Sequence, residues 1–145
     1  VTWEAGIVPE EHVRAIWPRV LPLLQPAIDR ADGRISADTV LQGLISRTHL
    51  LWLISSGDEL AAAFTTRVAR YPLKQMLVIE CLGGSRLKEW AAGTTKTLTS
   101  FAKDYGLDGI EMFGREGWSR ALKPYGWKHS MVVCEIDFQQ EPTDG

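Results

Sequence analysis

The apolar positions change period three times along this chain, and each change marks a new kind of element. After Pro9, the residues Val13, Ile16, Trp17, Val20, Leu21, Leu24 and Ile28 recur at three- and four-residue steps, the spacing of one helical face. Proline comes first and Glu10 and Glu11 fall in the opening turn, as a helix start requires. Pro18, Pro22 and Pro26 sit inside that pattern, and each removes a backbone donor, so the helix is expected to break or kink there. Asp32-Gly33 reads as a turn. Ser36-Ala37-Asp38 caps a second helix that runs to about Arg47 with Val40, Leu41, Leu44 and Ile45 inward. From His49 the helical period gives way to Leu50-Leu51-Trp52-Leu53-Ile54, an unbroken apolar run of strand length. Ser56-Gly57-Asp58 predicts a hairpin turn, Leu60 to Arg70 the returning strand, and Tyr71-Pro72 a turn into the next one. Trp3 and Ile7-Val8, ahead of the first helix, suit an edge strand or a clasp.

The second half is built around one helix. Met76 to Leu82 is an apolar strand closed by Gly83-Gly84, and from Arg86 to Tyr105 the residues Leu87, Trp90, Ala91, Leu98, Phe101, Ala102 and Tyr105 share a helical face. Gly106 ends it, Ile110 to Phe113 resumes a strand, and a short helix and a last strand ending at Phe138 follow. Strand, crossover helix and strand make a parallel pair, with the helix N-terminus aimed at the strands' carboxyl edge, where anions bind. There is no repeat or linker, so residues 1–138 read as a single domain and 139–145 as a polar tail.

Composition narrows the function classes. With 145 residues and a net charge of −2, the chain has length for one core and no basic run or arginine-rich arm, which argues against nucleic acid as a partner. No apolar stretch approaches the roughly 20 residues of a membrane span, and the beginning lacks a signal-peptide pattern, so no membrane association and no signal-directed secretion are expected. Cys81 and Cys134 fall in expected strands and read as small buried hydrophobes, without metal-ligand spacing. His12, His49 and His129 stand on separate elements. Of the six tryptophans, Trp17, Trp52, Trp90 and Trp118 fall on inward faces, and Arg67, Arg70, Lys74 and Arg86 suggest a modest basic strip.

Two helices, an antiparallel three-strand meander, then helix, strand, short helix and strand is an order that resembles the GNAT-type acyl-CoA N-acyltransferase superfamily from about Val8 to Phe138. The fold class implied is α/β (α+β): a GNAT-like mixed sheet, an antiparallel meander followed by a strand-helix-strand crossover, with helices on both faces. Leu51-Trp52, Gly83-Gly84, Trp90, then Gly114-Arg115-Glu116-Gly117-Trp118, Arg120, Leu122 and Gly126-Trp127 resemble a narrower group, the small GNAT-like proteins of tailed phages and prophages, often encoded among structural genes.

What the superfamily implies is a pantetheine arm between two splayed strands and a pyrophosphate on the main helix's N-terminus, in a Q/R-x-x-G-x-G/A motif. Aligned from Ala102 and Gly106, that motif falls on Arg86-Leu87-Lys88-Glu89-Trp90-Ala91, where Glu89 replaces a glycine. Like charges about 4 Å apart cost on the order of 1–4 kcal/mol, so Glu89 weakens the site unless the frame shifts. The shifted cradle is Gly83, Gly84 and Ser85, Ser85 capping the helix and Arg86 and Lys88 binding phosphate. Arg115 stands where members commonly carry asparagine. Leu122 stands where active members carry the tyrosine that protonates the departing thiolate, leaving Tyr125, Glu116 or Glu80 as the substitute acid or base.

Each of these residues also has a plainer reading. Glu80, in an apolar strand, is a candidate general base with its pKa raised by burial, or an arginine-paired acid. Arg115, Glu116 and Arg120 are an anion site or a clasp over a turn. Two functions follow. One is a phage-encoded GNAT-fold protein that has lost catalysis and serves in the virion or its assembly, in the host cytoplasm or the particle, with protein partners that include a second copy of itself and no required cofactor. The other is an acetyl-CoA-dependent N-acyltransferase with a nonstandard phosphate loop.

Overall fold

The computed structural model describes residues 1–114 and 116–139, Glu116 through its backbone alone. Five strands form one sheet in sequence order: β1 (Glu4–Ile7), β2 (His49–Ser56), β3 (Glu59–Arg70), β4 (Gln75–Gly84) and β5 (Gly109–Met112). The first four run antiparallel and β5 lies parallel to β4, the mixed meander-and-crossover sheet expected. Helices α1 (Glu10–Arg30) and α2 (Ala37–Ile45) cover one face, and α3 (Leu87–Asp104) with the short α4 (Glu116–Leu122) covers the other.

The two faces hold separate cores. Alternation along β2 sends Leu51 toward α1 and α2, where it meets Val20, Leu24 and Val40, and sends Trp52 and Ile54 toward α3, where they meet Phe64, Leu77 and Leu98. Trp52 stacks on Phe64, meets the edge of Phe101, and donates its indole N–H to Thr66 Oγ1 at 2.9 Å, so its one polar atom is satisfied inside the core.

α1 does not break. It runs unbroken from Glu10 to Arg30 with Pro18, Pro22 and Pro26 inside it. The three prolines stand four residues apart, all on the exposed side, while Val13, Val20, Leu24 and Ile28 are buried opposite. The carbonyls they deprive of donors therefore face water, which satisfies them. α2 begins as expected: Ser36 and Thr39 form a reciprocal capping box.

The strand expected to end at Phe138 is absent. Residues 127–137 are irregular, and Met131, Val132, Val133, Ile136 and Phe138 are exposed. Cys134, expected to be buried in that strand, is an exposed free thiol, while Cys81 is buried and free. Tyr105 also points outward, at 71% exposure, since it already lies past the last turn of α3. No helix among the described residues is long and apolar enough to cross a membrane.

Candidate acyl-CoA site and the Glu80 cluster

Gly83 and Gly84 close β4 as its last two residues, still in the ladder opposite Ala63 and Ala62. A Cβ on Gly83 would stand 1.7 Å from the Leu23 carbonyl oxygen of α1, and one on Gly84, at φ +138°, would stand 2.3 Å from the Ala61 carbonyl oxygen. Only glycine lets helix and strand approach so closely. Ser85 then donates its amide to the Ala61 carbonyl at 2.8 Å, and its own carbonyl accepts from the Trp90 indole at 2.7 Å. Ser85 is therefore not the helix cap. Arg86, in left-handed backbone at φ 63°, is the N-cap, because Ser85 is still tied to β3 and the turn falls one residue later.

Of the opening amides of α3, that of Glu89 donates to the Arg86 carbonyl at 2.9 Å, and Lys88 stands exposed beside them without an ion pair among the described residues. Arg86 is engaged elsewhere. Its guanidinium reaches Glu59 at 3.4 Å and Glu89 at 3.5 Å and lies 5.6 Å from the Trp3 ring centre. Glu89 is half-exposed and shares its charge with Arg86, which lessens the repulsion expected of it. Arg86 and Arg67 meet acids near opposite ends of β3, roughly 25 Å apart along an extended strand, so the expected basic strip does not form.

β4 and β5 pair only from Met76 opposite Gly109 to Ile79 opposite Met112, and beyond that point β4 continues alone to Gly84. The slot this leaves is where the resemblance would put a pantetheine arm. Beside it, between α3 and the sheet, Leu82, Met112, Trp118, Leu122 and Trp127 with Leu87, Trp90 and Leu98 of α3 line a cavity of about 20 Å³, room for about one water. Trp127 is fixed there by donating to Thr95 Oγ1 at 3.1 Å. Leu122, 6% exposed, forms part of the wall and offers no proton. Tyr125 sits on a single 3-10 turn, Lys123–Tyr125, half-buried against the α3-side core, with no hydrogen bond to its hydroxyl among the described residues. The space beside Gly83 and Gly84 is filled by Leu23 of α1 and Ala61 of β3, and the cavity under α3 is too small for a pantetheine-sized ligand. Arg115 and the Glu116 side chain lie outside the described residues, as does any clasp they form with Arg120, which is exposed.

Glu80 is on a different site. Thr65 pairs with Cys81 and Thr66 with Ile79, so Glu80 is the extra residue of a β-bulge and turns with Cys81 toward α1 and α2. Arg67 Nε donates to its Oε2 at 2.6 Å, and His49 Nε2 lies 3.3 Å from its Oε1. His49 packs against Gly43 of α2, where a Cβ would stand 2.3 Å from Nδ1, and that nitrogen meets the Thr48 hydroxyl at 2.9 Å. The His49 hydrogen bond, with that of Arg67, holds the Glu80 carboxyl below the ordinary carboxylate range and outweighs burial, which acts the other way. The expected upward shift toward a general base is overturned: the arginine-paired reading describes this acid. Burial instead acts on Cys81, whose thiol is pushed up to about 11 and is unreactive. The bulge that brings His49 to Glu80 left no mark in the apolar pattern, and neither did the partnership of Glu59 with Arg86. No group of three His, Cys, Asp or Glu among the described residues could hold a metal ion.

No family model matches this chain, and no curated protein matches it. Solved structures do. A predicted acetyltransferase from Clostridium acetobutylicum, solved with acetyl-CoA, is 15% identical at a TM-score of 0.65, over 95% of this chain and 97% of its own. Glucosamine-6-phosphate N-acetyltransferase from Arabidopsis thaliana is 12% identical at 0.63, over 95% and 99%. The Thermus thermophilus protein TTHA1254 is 14% identical at 0.61, over 96% and 99%. The class this architecture defines is the GNAT-type acetyltransferase fold. At these identities the likeness establishes the fold alone.

Proposed function

We propose that this chain is a GNAT-fold protein that no longer transfers acyl groups and acts through protein contacts, as a virion- or assembly-associated protein of a tailed phage or prophage. The observation that supports the loss of catalysis is the cavity between α3 and the sheet beside the end of β5, where Trp118, Leu122 and Trp127 leave about 20 Å³ and no acid is positioned among the described side chains. A small-molecule site ordinarily offers about 300 Å³ or more. The phage assignment is supported by sequence wording alone, Leu51-Trp52, Gly83-Gly84, Trp90 and the stretch from Gly114 to Trp127. Calorimetry with acetyl-CoA tests the first part: no heat at millimolar cofactor is expected, and micromolar binding lost in Arg86→Ala would overturn it. Mass spectrometry of purified particles tests the second, and consistent absence of the chain from them and from their assembly intermediates would overturn it.

A second reading has its own observation. Glu89, the residue expected to repel a pyrophosphate, is turned half into solvent and paired with Arg86, and Lys88 stands exposed beside it at the start of α3. An acyl-CoA-dependent N-acyltransferase with that nonstandard phosphate loop would need the α4 segment to move aside and Tyr125 to supply the proton. Thiol release from acetyl-CoA with candidate amines, abolished in Tyr125→Phe, would favour it over the first.

A further inference from the structure

The Glu80 cluster includes one group that an ionic tie between strands does not use. Thr48, exposed just before β2, is bonded to His49 Nδ1 at 2.9 Å, and His49 Nε2 faces Glu80 Oε1 at 3.3 Å. A carboxylate can only accept, so the ring proton belongs on Nε2, and the lone pair of the neutral imidazole is then at Nδ1, aimed at the Thr48 hydroxyl. Hydroxyl, imidazole and carboxylate in that order are a nucleophile, its base and the group that orients the base. The two ring nitrogens are exchanged relative to the serine-protease arrangement, which leaves the roles unchanged.

Neighbours on every side hold this order. Gly43 of α2 has no side chain where the ring lies, and a Cβ there would stand 2.3 Å from Nδ1. Arg67 Nε takes Oε2 of Glu80 at 2.6 Å, which leaves Oε1 for His49 and keeps the carboxyl ionised. Arg47, immediately before Thr48, is in left-handed backbone at φ 66°, where glycine is usual, and is held there by Glu10 at 3.0 Å. The His49 and Glu80 side chains are only 17% and 14% exposed, whereas Thr48 is open to solvent, so the base is shielded and the nucleophile can be reached.

We propose that Thr48 is a nucleophile, activated by His49, that hydrolyses small carboxylic esters carrying a good alcohol leaving group. Thr48 Oγ1 bonds to the ester carbonyl carbon as its proton passes to His49 Nδ1, and the Ser46 hydroxyl, 3.3 Å from Oγ1, is available to the developing oxyanion. The carbonyl re-forms, the bond to the alcohol oxygen breaks, and the alcohol departs with that proton. Water then attacks the acyl-threonine, giving its proton to Nδ1, and Thr48 recovers it as the carboxylic acid leaves. A good leaving group is specified because it departs with little help, whereas an amine must be protonated first. The cluster lies on the α1–α2 side of the sheet, away from the cavity under α3, needs no CoA and passes acyl groups only to water.

The probe is 4-nitrophenyl acetate. Once the background that the exposed His12 and His129 supply to every variant is subtracted, wild type is expected to release 4-nitrophenolate about 100-fold faster than Thr48→Val or His49→Gln. Thr48→Ser, which keeps the hydroxyl, is expected to retain the activity, and peptide mass spectrometry after an acid quench is expected to find the acetyl group on Thr48. Glu80 is a positioning residue, so nitrogen NMR of the His49 ring should place the proton on Nε2 in wild type and lose that preference in Glu80→Ala. Release from Thr48→Val at the wild-type rate would overturn the proposal. So would release lost in His49→Gln alone, which would show the imidazole attacking the ester by itself, or a quenched acetyl group found elsewhere than on Thr48.

Discussion

Glu80 Oε2 stands 2.6 Å from Arg67 Nε, one strand away, and this contact decides what the one acid of the β4 apolar run is for. With His49 on the far side, the carboxylate ties β2, β3 and β4 together at a bulge. Its folded pKa lies below the unfolded value, so its contribution is present above the ordinary carboxylate value of 4.5 and is lost as the pH falls through the lowered one. Glu80→Gln is expected to cost about 1–3 kcal/mol at neutral pH, because it removes the charge that the half-buried Arg67 and His49 bond. Urea midpoints measured at neutral pH and in acid below 4.5 check this: the gap between variant and wild type should narrow in acid. A gap of equal size at both would sink the assignment.

Two glycines should respond in opposite directions to the same substitution. Gly83→Ala puts a methyl group 1.7 Å from a backbone oxygen that cannot rotate away, so α1 must lift off β4, at a cost of about 3 kcal/mol. Gly93, exposed in the middle of α3, has nothing within 4 Å of an added Cβ, and Gly93→Ala should stabilise by about 0.5–1 kcal/mol. Thermal unfolding of the two variants beside wild type reads both signs.

The proline stripe of α1 makes a third expectation. Pro22→Ala returns a donor to the Pro18 carbonyl on the solvent side and relieves crowding of the ring against it, while the unfolded chain gains freedom. The first effect is the larger, so a rise of about 1–2 kcal/mol is expected. A fall in the unfolding midpoint would mean that the backbone the proline fixes is needed for packing on β4.

Leu122→Ala should cost about 2–4 kcal/mol by widening a slot whose other walls are fixed by Trp118 and Trp127. If those side chains alone keep acyl-CoA out, the same variant should also show weak acetyl-CoA binding that wild type lacks, measurable by calorimetry. Stability lost with no binding gained would place the obstacle at Arg86 and Glu89 instead.

Much of the architecture was legible because it is local. The stripe from Val13 to Ile28, the Ser36 cap, the Ser56-Gly57-Asp58 hairpin and the Leu87 to Ala102 face are each fixed by residues within a few positions of one another, and each stands where its spacing put it. The GNAT-like order followed from them. Pro18, Pro22 and Pro26 misled because their effect depends on which side of the helix meets water, a matter settled by the sheet and not by the helix. Glu80 left two readings open, of which the arginine-paired one holds, because a single-residue bulge decides which face it takes and therefore whether it meets Arg67.

The segment from Met131 to Phe138 separates the two kinds of information most clearly. Its alternation is as regular as that of any strand in the sheet, and the sequence by itself determined that period, along with the order of helices and strands, because side-chain direction follows from the backbone repeat. Whether such a stretch becomes a strand was decided only in three dimensions, since a strand's donors and acceptors are satisfied by a neighbour and not by itself. The same holds for the charges: the sequence supplied Glu80, Arg86 and Glu89, but their partners stand on other elements or, for Glu89, on a helix start that the β3 hydrogen bond of Ser85 displaced by one residue.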